Sequence, residues 1–152
     1  MRLHLILPTA ALLLTSLAFA ANTSTPVPVN STVLNSCVFT GGPATIAIPT
    51  YKAAEAQPQS GQTDVSVLCN TGTQPFTTYW ANEPDLSLAL TAGNGDVLNV
   101  ALGYGEDPTT PTTGPSGGDV WIYTLTATPL PGQYGASSQN NYTNTADYIV
   151  AF

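Results

Sequence analysis

Five acidic residues are the side chains of this 152-residue chain best suited to chemistry. Glycoside hydrolysis needs two carboxylates about 5 to 10 Å apart, and the same oxygens are ligands that Ca2+ prefers. Acids in glycine-rich turns more commonly cap the backbone of their own loop. We favour that third use, because these acids lie among glycines, prolines and asparagines: Asp85, Asp96, Glu106, Asp107 and Asp119.

Aromatic residues offer a second kind of site, a flat platform for a sugar. The candidates are Tyr79, Trp80, Tyr104, Trp121 and Tyr123. In alternating strands such rings more commonly form core contacts or cross-strand pairs. We therefore expect most of them in the core, and a monomeric extracellular carbohydrate-binding module is kept as the alternative function.

The groups on which most enzymes depend are missing after residue 20. That part of the sequence has no histidine, arginine or methionine, and its single lysine is Lys52. Catalysis near neutral pH usually needs a histidine base, a thiolate, an activated lysine or a metal. We predict that the protein is not an enzyme, uses no cofactor and has no metal site.

Charge limits the partners. After residue 20, one lysine stands against nine acids, which gives a net charge of −8. Nucleic acids and anionic lipids would be repelled by that charge. We expect no nucleic-acid partner.

Residues 1–20 have the pattern of a signal peptide. Arg2 precedes a mainly apolar run from Leu3 to Leu17, and Ala18-Phe19-Ala20 fits a cleavage site. A membrane anchor is less favoured, because the run is short for a span and contains Pro8. No later segment is apolar enough to cross a bilayer, so we expect an exported protein without a membrane span in the mature chain.

Two cysteines, Cys37 and Cys69, remain in the exported part. In an oxidising compartment one disulfide is the simplest outcome. Two thiols without histidine do not complete a zinc site, and their spacing is not a CxxC motif.

The rest of the chain predicts an all-β domain. Short, mostly alternating runs are separated by clusters of Gly, Pro, Asn and Asp, a pattern typical of an antiparallel immunoglobulin-like sandwich. Asn94-Gly95 predicts a hairpin turn within 93–96, and 105–119 is expected to be a surface loop. The predicted strands are 45–48, 64–69, 76–81, 85–90, 97–102, 120–127 and 147–152.

The two ends of the predicted domain complement each other. Residues 21–36 form an N-terminal extension in which Val27, Val29 and Val33 share one face if the chain is extended, and its prolines disfavour a helix. At the other end, 147–152 reads as an apolar strand. If it is the sixth immunoglobulin strand, its outer neighbour is missing, and a segment of another molecule would fill the gap. The alternative is a flexible linker and an ordinary edge strand; spacing alone leaves both open.

Several motifs resemble the spore coat U domain family, which includes the major and minor pilins of archaic chaperone-usher pili. They span residues 33–152: Cys37-Val38-Phe39, Tyr51, Val65-Ser66-Val67-Leu68-Cys69-Asn70-Thr71-Gly72, Leu98-Asn99-Val100-Ala101-Leu102-Gly103-Tyr104, Gly132-Gln133-Tyr134 and Tyr148-Ile149-Val150-Ala151-Phe152.

The resemblance implies a fold and a function. Residues 37–152 would form an incomplete immunoglobulin-like β-sandwich that lacks its last strand and is completed by donor-strand addition. The protein would be a structural subunit of a surface fibre or coat that serves adhesion or biofilm formation. It would pass through the periplasm to the cell surface or fimbrium, with a periplasmic chaperone, an outer-membrane usher and other copies of itself as partners.

The resemblance also implies roles for individual residues. Cys37 and Cys69 would bridge the first two strands. Val27, Val29 and Val33 would belong to the donor strand, and the edge of the acceptor groove would carry Tyr148, Val150 and Phe152.

Overall fold

The computed structural model describes residues 25–81, 85–138 and 140–152. The chain divides into two units, Met1–Thr32 and Val33–Phe152. The predicted signal peptide, residues 1–20, lies outside the described residues. Of the predicted extension, residues 25–36 are described; they are exposed and form no strand or helix.

The unit Val33–Phe152 is built from β-strands, as predicted. Among the described residues the only helical element is one 3-10 turn, Pro115–Gly117, and no helix there is long and apolar enough to cross a membrane. The strands are β1 (Cys37–Thr40), β2 (Gly61–Cys69), β3 (Thr77–Trp80), β4 (Ser87–Thr91), β5 (Val97–Tyr104), β6 (Thr112–Thr113), β7 (Asp119–Pro129) and β8 (Tyr148–Ala151).

The larger sheet is antiparallel, with the strand order β1-β2-β7-β5-β4, and β6 is attached to β7. Its centre is the long pairing of β2 with β7, from Gly61 opposite Ala127 to Cys69 opposite Asp119. Side chains alternate between the two faces of a strand, so one face carries the buried residues of these strands. We call it the inner face; it includes Val67, Cys69, Trp121, Tyr123, Leu125, Ala127, Leu98, Val100 and Leu102.

The smaller sheet contains β3 and β8, paired from Thr77 opposite Ala151 to Trp80 opposite Tyr148. Trp80 belongs to the core cluster formed with β4, β5 and β7. Tyr148 and Val150 pack against a second core cluster, which contains Val67 and Trp121. Residues of the smaller sheet therefore contact the inner face of the larger one.

Six of the seven predicted strands are confirmed, with ends that shift by up to three residues. The hairpin turn at 93–96 is confirmed as well. It joins β4 to β5, and Gly95 has a φ of +89°, a conformation that glycine adopts without strain. The predicted surface loop 105–119 holds only β6 and the 3-10 turn as regular structure.

The prediction of a strand at 45–48 is wrong; the strand that precedes β2 is β1. The stretch does alternate as a strand would, with Ile46 and Ile48 partly buried against the core. Its backbone has no strand beside it, however, since residues 41–51 make no backbone–backbone hydrogen bond with other described residues. The alternating pattern of 45–48 therefore predicted which side chains face the core. It did not predict whether the backbone pairs with another strand.

The predicted disulfide is confirmed. Cys37 and Cys69 lie directly opposite each other on β1 and β2 and are bonded. The bond closes a loop with a sequence separation of 32 residues. It holds the short edge strand β1 against the long strand β2.

We predict that the double variant Cys37→Ser/Cys69→Ser loses about 3 to 4 kcal/mol of unfolding free energy, the chain-entropy value for a loop of this length. Urea unfolding monitored by fluorescence measures the loss. Reduction of the unmodified protein is the control and should give a similar loss. Equal unfolding midpoints for the oxidised protein and the double variant would contradict the prediction.

Candidate functional site

The inner face of the larger sheet opens into a cavity of about 1640 Å3. Small-molecule pockets usually measure about 300–1,000 Å3, and protein interiors contain few voids larger than a water molecule. Val100, Leu125 and Ala127, which line the cavity, are buried, so the space is a groove above a packed floor. Its apolar lining includes Ile46, Ile48, Val65, Leu88, Leu90, Leu98 and Leu125.

One wall of the groove is the irregular segment that follows β1. Residues 39–51 line the cavity along this side. Gly61 at the start of β2 allows the segment to lie close, because a Cβ at that position would collide with the backbone of Ala47. The wall is therefore held by side-chain burial and close packing, while its backbone groups are left unpaired among the described residues.

The opposite wall, which includes residues 140–148, is fastened more firmly. Thr143 and Thr91 exchange two backbone hydrogen bonds of 3.1 Å, and the Asn144 side-chain amide donates to the Ala89 carbonyl at 2.7 Å. Tyr142 and Ala146 pack against the core on this side. The outer edge of β4 is thus partly covered.

One edge of β8 is open. β8 pairs with β3 along one side, and no other described strand pairs with it. Hydrogen-bonded pairs alternate along an antiparallel ladder, and the Ala81 amide donates to the Asp147 carbonyl. The backbone groups of Ile149 and Ala151 therefore face β3, while those of Tyr148 and Val150 face the open edge.

The structure places the three predicted groove-edge residues differently. Tyr148 lines the cavity. Val150 packs against the core cluster of Val67 and Trp121. Phe152 lies just beyond the end of β8 and is 45 % exposed.

The three predicted donor valines are strongly exposed. Val27, Val29 and Val33 have exposed fractions of 74 %, 91 % and 77 %. Full burial of an aliphatic side chain of this size is worth about 1.5–3 kcal/mol. These side chains would be stabilised by any apolar surface that covered them.

Aromatic rings meet around Tyr148, beside the groove. Its ring centre lies 5.3 Å from that of Trp80, 6.1 Å from that of Tyr123 and 6.5 Å from that of Tyr104. Burial, with a smaller contribution from the Asp107 carboxylate, raises the pKa of Tyr123 to about 12. Burial also raises the pKa of Tyr148.

Most of the candidate sugar platform is core, as the sequence favoured. Trp80, Trp121 and Tyr123 are each 4 % exposed, which leaves Tyr104 and Tyr79 as the accessible rings. Three of the candidate acids accept hydrogen bonds from neighbouring groups of the protein. Asp119 accepts from the Gly72 amide, Asp107 from Thr78, and Asp96 from Asn94 and Ser137. No group of three or more His, Cys, Asp or Glu residues in the described ranges is placed to hold a metal ion.

Sequence reasoning missed the two walls of the groove. Ile46 and Ile48 were assigned to a strand, and Tyr142 and Ala146 were given no role. The alternation of 45–48 was a usable signal for the first wall. The second wall carries no periodic pattern, because turns and single hydrogen bonds hold it in place.

The raised pKa of Tyr123 predicts a loss of stability in alkali. The folded protein binds the phenol proton more tightly than the unfolded chain, whose tyrosine pKa is about 10. The stabilisation is complete below pH 10 and disappears as the pH rises from about 10 to about 12. Ultraviolet titration and urea unfolding across this range should show a late phenolate transition that accompanies the loss.

The Tyr123→Phe variant should lack part of that late transition and lose less stability over the same range. The Tyr134→Phe variant, which removes an exposed tyrosine, is the control. Ionisation of Tyr123 near pH 10 in the folded protein would contradict the prediction.

Known proteins offer no direct guide to this groove. Comparisons with protein-family models, curated proteins and solved structures found no match. The resemblance to the spore coat U domain therefore depends only on the sequence motifs described above. The structural features that bear on function are the groove, the open edge of β8 and the exposed valines.

Proposed function

We propose that this protein is a secreted structural subunit that polymerises by donor-strand exchange into a surface fibre or coat. Residues 21–36 of one copy insert as a strand into the groove of the next. The observation that carries the proposal is an apolar groove of about 1640 Å3 whose lining reaches β8 at Tyr148, together with an edge of β8 that no other described strand pairs with. An added strand would place apolar side chains in the groove and would supply backbone groups that hydrogen-bond to the open edge of β8.

The strand order supports an immunoglobulin-like sandwich that lacks one strand. In the constant-type fold, strands A, B, E and D form one sheet and strands C, F and G the other. Here β1, β2, β7 and β5 correspond in order to A, B, E and D, and β3 and β8 to C and F. The position of strand G, beyond the open edge of β8, is the position proposed for the donated strand.

The exposed extension is suited to its proposed role as the donated strand. Its valines alternate, so an extended chain presents them together to one surface. Pro26 and Pro28 lack an amide hydrogen, so the strand would pair through the other residues of the segment. Because each copy both gives and receives a strand, the contact is head-to-tail and propagates into a filament.

The partners and the location follow from the resemblance to archaic chaperone-usher pilins. A periplasmic chaperone would cover the groove before assembly, and an outer-membrane usher would order the exchange. The Cys37–Cys69 disulfide is consistent with an oxidising compartment such as the periplasm or the cell exterior. Adhesion or biofilm formation is the proposed role of the fibre.

A carbohydrate-binding module is the weaker alternative. Three of its five proposed platform rings lie in the core, so the accessible aromatic surface is small. A module of that kind would also be a stable monomer when produced alone, whereas a pilin subunit that keeps its donor segment would polymerise.

Removal of residues 21–36 should abolish polymers, because the domain can then accept a strand but has none to give. Appending residues 21–36 after Phe152 through a short flexible linker should restore a stable monomer with a higher melting temperature. Size-exclusion chromatography and thermal unfolding measure the two effects. Polymers formed by the truncated chain, or no thermal gain from the appended strand, would contradict the proposal.

A matched pair of charge variants separates strand donation from a general effect of charge. Val27→Asp/Val29→Asp places carboxylates on the face that enters the groove, so polymerisation should be lost. Asn30→Asp/Thr32→Asp adds the same charge to the other face of the segment, so most polymerisation should be retained. Equal behaviour of the two variants would contradict the proposed face.

A further inference from the structure

The end of the domain from which the extension leaves carries an exposed apolar surface. Asn35 and Ser36 lie beside the loop that follows β2, through hydrogen bonds with Thr73 and Asn70. Phe76 lies at the same end, just before β3, and its amide donates a hydrogen bond to the Ala151 carbonyl at the end of β8. We call this end the exit pole and define its apolar surface by Leu34, Phe76 and Phe152.

The exit pole is unusually apolar for a solvent-facing surface. Leu34 is 78 % exposed, Phe76 is 74 % exposed and Phe152 is 45 % exposed. No charged side chain occurs in residues 33–38, 70–80 or 148–152. The carboxylate of Asp119 lies at this end of the domain and accepts a hydrogen bond from the Gly72 amide. Aromatic enrichment with depletion of charge is characteristic of the centre of protein interfaces.

We infer that the exit pole docks on the copy that accepts the extension, which gives the proposed fibre a second subunit contact beside the donated strand. This inference rests on the proposed function. An extended chain spans at most about 3.3–3.6 Å per residue. Val33 is three residues from Ser36, where the domain fixes the chain, so a buried Val33 brings the acceptor within about 10 Å of the pole.

The short link between Val33 and Ser36 indicates which molecule would cover the exit pole. At such a distance the acceptor copy is the protein that lies nearest to Phe76 and Phe152 in a filament. Docking would remove the two rings from water and would limit the bending of one subunit relative to the next. Without docking, Leu34 and Asn35, the two residues between Val33 and Ser36, would act as a flexible joint.

Hydroxyl-radical footprinting with mass spectrometry tests the inference on the full chain. The oxidation rate of Phe76 in the polymer is compared with that in Val27→Asp/Val29→Asp, which the proposed function predicts to form no polymer. The rate of Phe76 should fall severalfold on polymerisation. Phe152 is not used as a reporter, because a strand donated beside β8 would itself cover it. Ile122 is the internal control, since it is 46 % exposed and lies on the face of β7 opposite the groove; its rate should not change.

The outcomes separate the two proposals. If polymers form by strand donation but Phe76 keeps the rate of the variant that forms no polymer, the docking surface is wrong and the proposed function stands. If the full chain forms no polymer, both fail. Protection of Phe76 with an unchanged Ile122 supports both.

A variant pair tests the mechanical consequence. Phe76→Thr should still polymerise, but its filaments should bend more, with a persistence length severalfold shorter in electron micrographs. Ile122→Thr, which changes an exposed apolar residue on the face of β7 opposite the groove, should leave the persistence length unchanged. Filaments of equal stiffness would overturn the docking contact.

Discussion

Burial of the apolar inner face of the larger sheet is the interaction on which much of the structure depends. Among the described residues, β3 and β8 are the strands outside this sheet, and Trp80, Tyr148 and Val150 pack against its core clusters. Residues 39–51, 136–138 and 140–148 are irregular walls that line a groove on the inner face. Burial of apolar surface is the main favourable term in folding, so a strand that filled this groove, as proposed, would add to the stability of the domain.

Three features are consistent with the proposal that another copy completes the domain. The disulfide holds β1 to β2 near the point where the extension leaves the domain. The bonds of Thr143 and Asn144 hold one wall of the groove in place. The backbone of 45–48, in the other wall, makes no backbone–backbone hydrogen bond with other described residues. Under the proposal, a strand would enter the groove without rearrangement of the central pairing of β2 with β7.

The sequence predicted the strands whose alternation coincides with pairing. In β7, every second residue from Trp121 to Pro129 is buried, and in β2 Val67 and Cys69 are buried and Thr63 and Val65 partly buried on the same face. The turn at Asn94-Gly95 has its own local signal. Residues 45–48 have the same alternation without a partner strand among the described residues, so the pattern could not distinguish a strand from an irregular segment with the same burial. The groove itself could not be predicted, because its volume depends on the positions of residues 39–51, 136–138 and 140–148. These positions are set by long-range contacts such as that of Gly61 with Ala47.

Hydrogen exchange along β8 tests most directly whether another copy completes the domain. The amides of Tyr148 and Val150 face the open edge, whereas those of Ile149 and Ala151 face β3, so one strand carries both the reporters and their controls. In polymers of the full chain, the account predicts that Tyr148 and Val150 exchange far more slowly than in the chain that lacks residues 21–36, while Ile149 and Ala151 change much less. Equal exchange of Tyr148 and Val150 in the two samples would contradict strand donation at this edge.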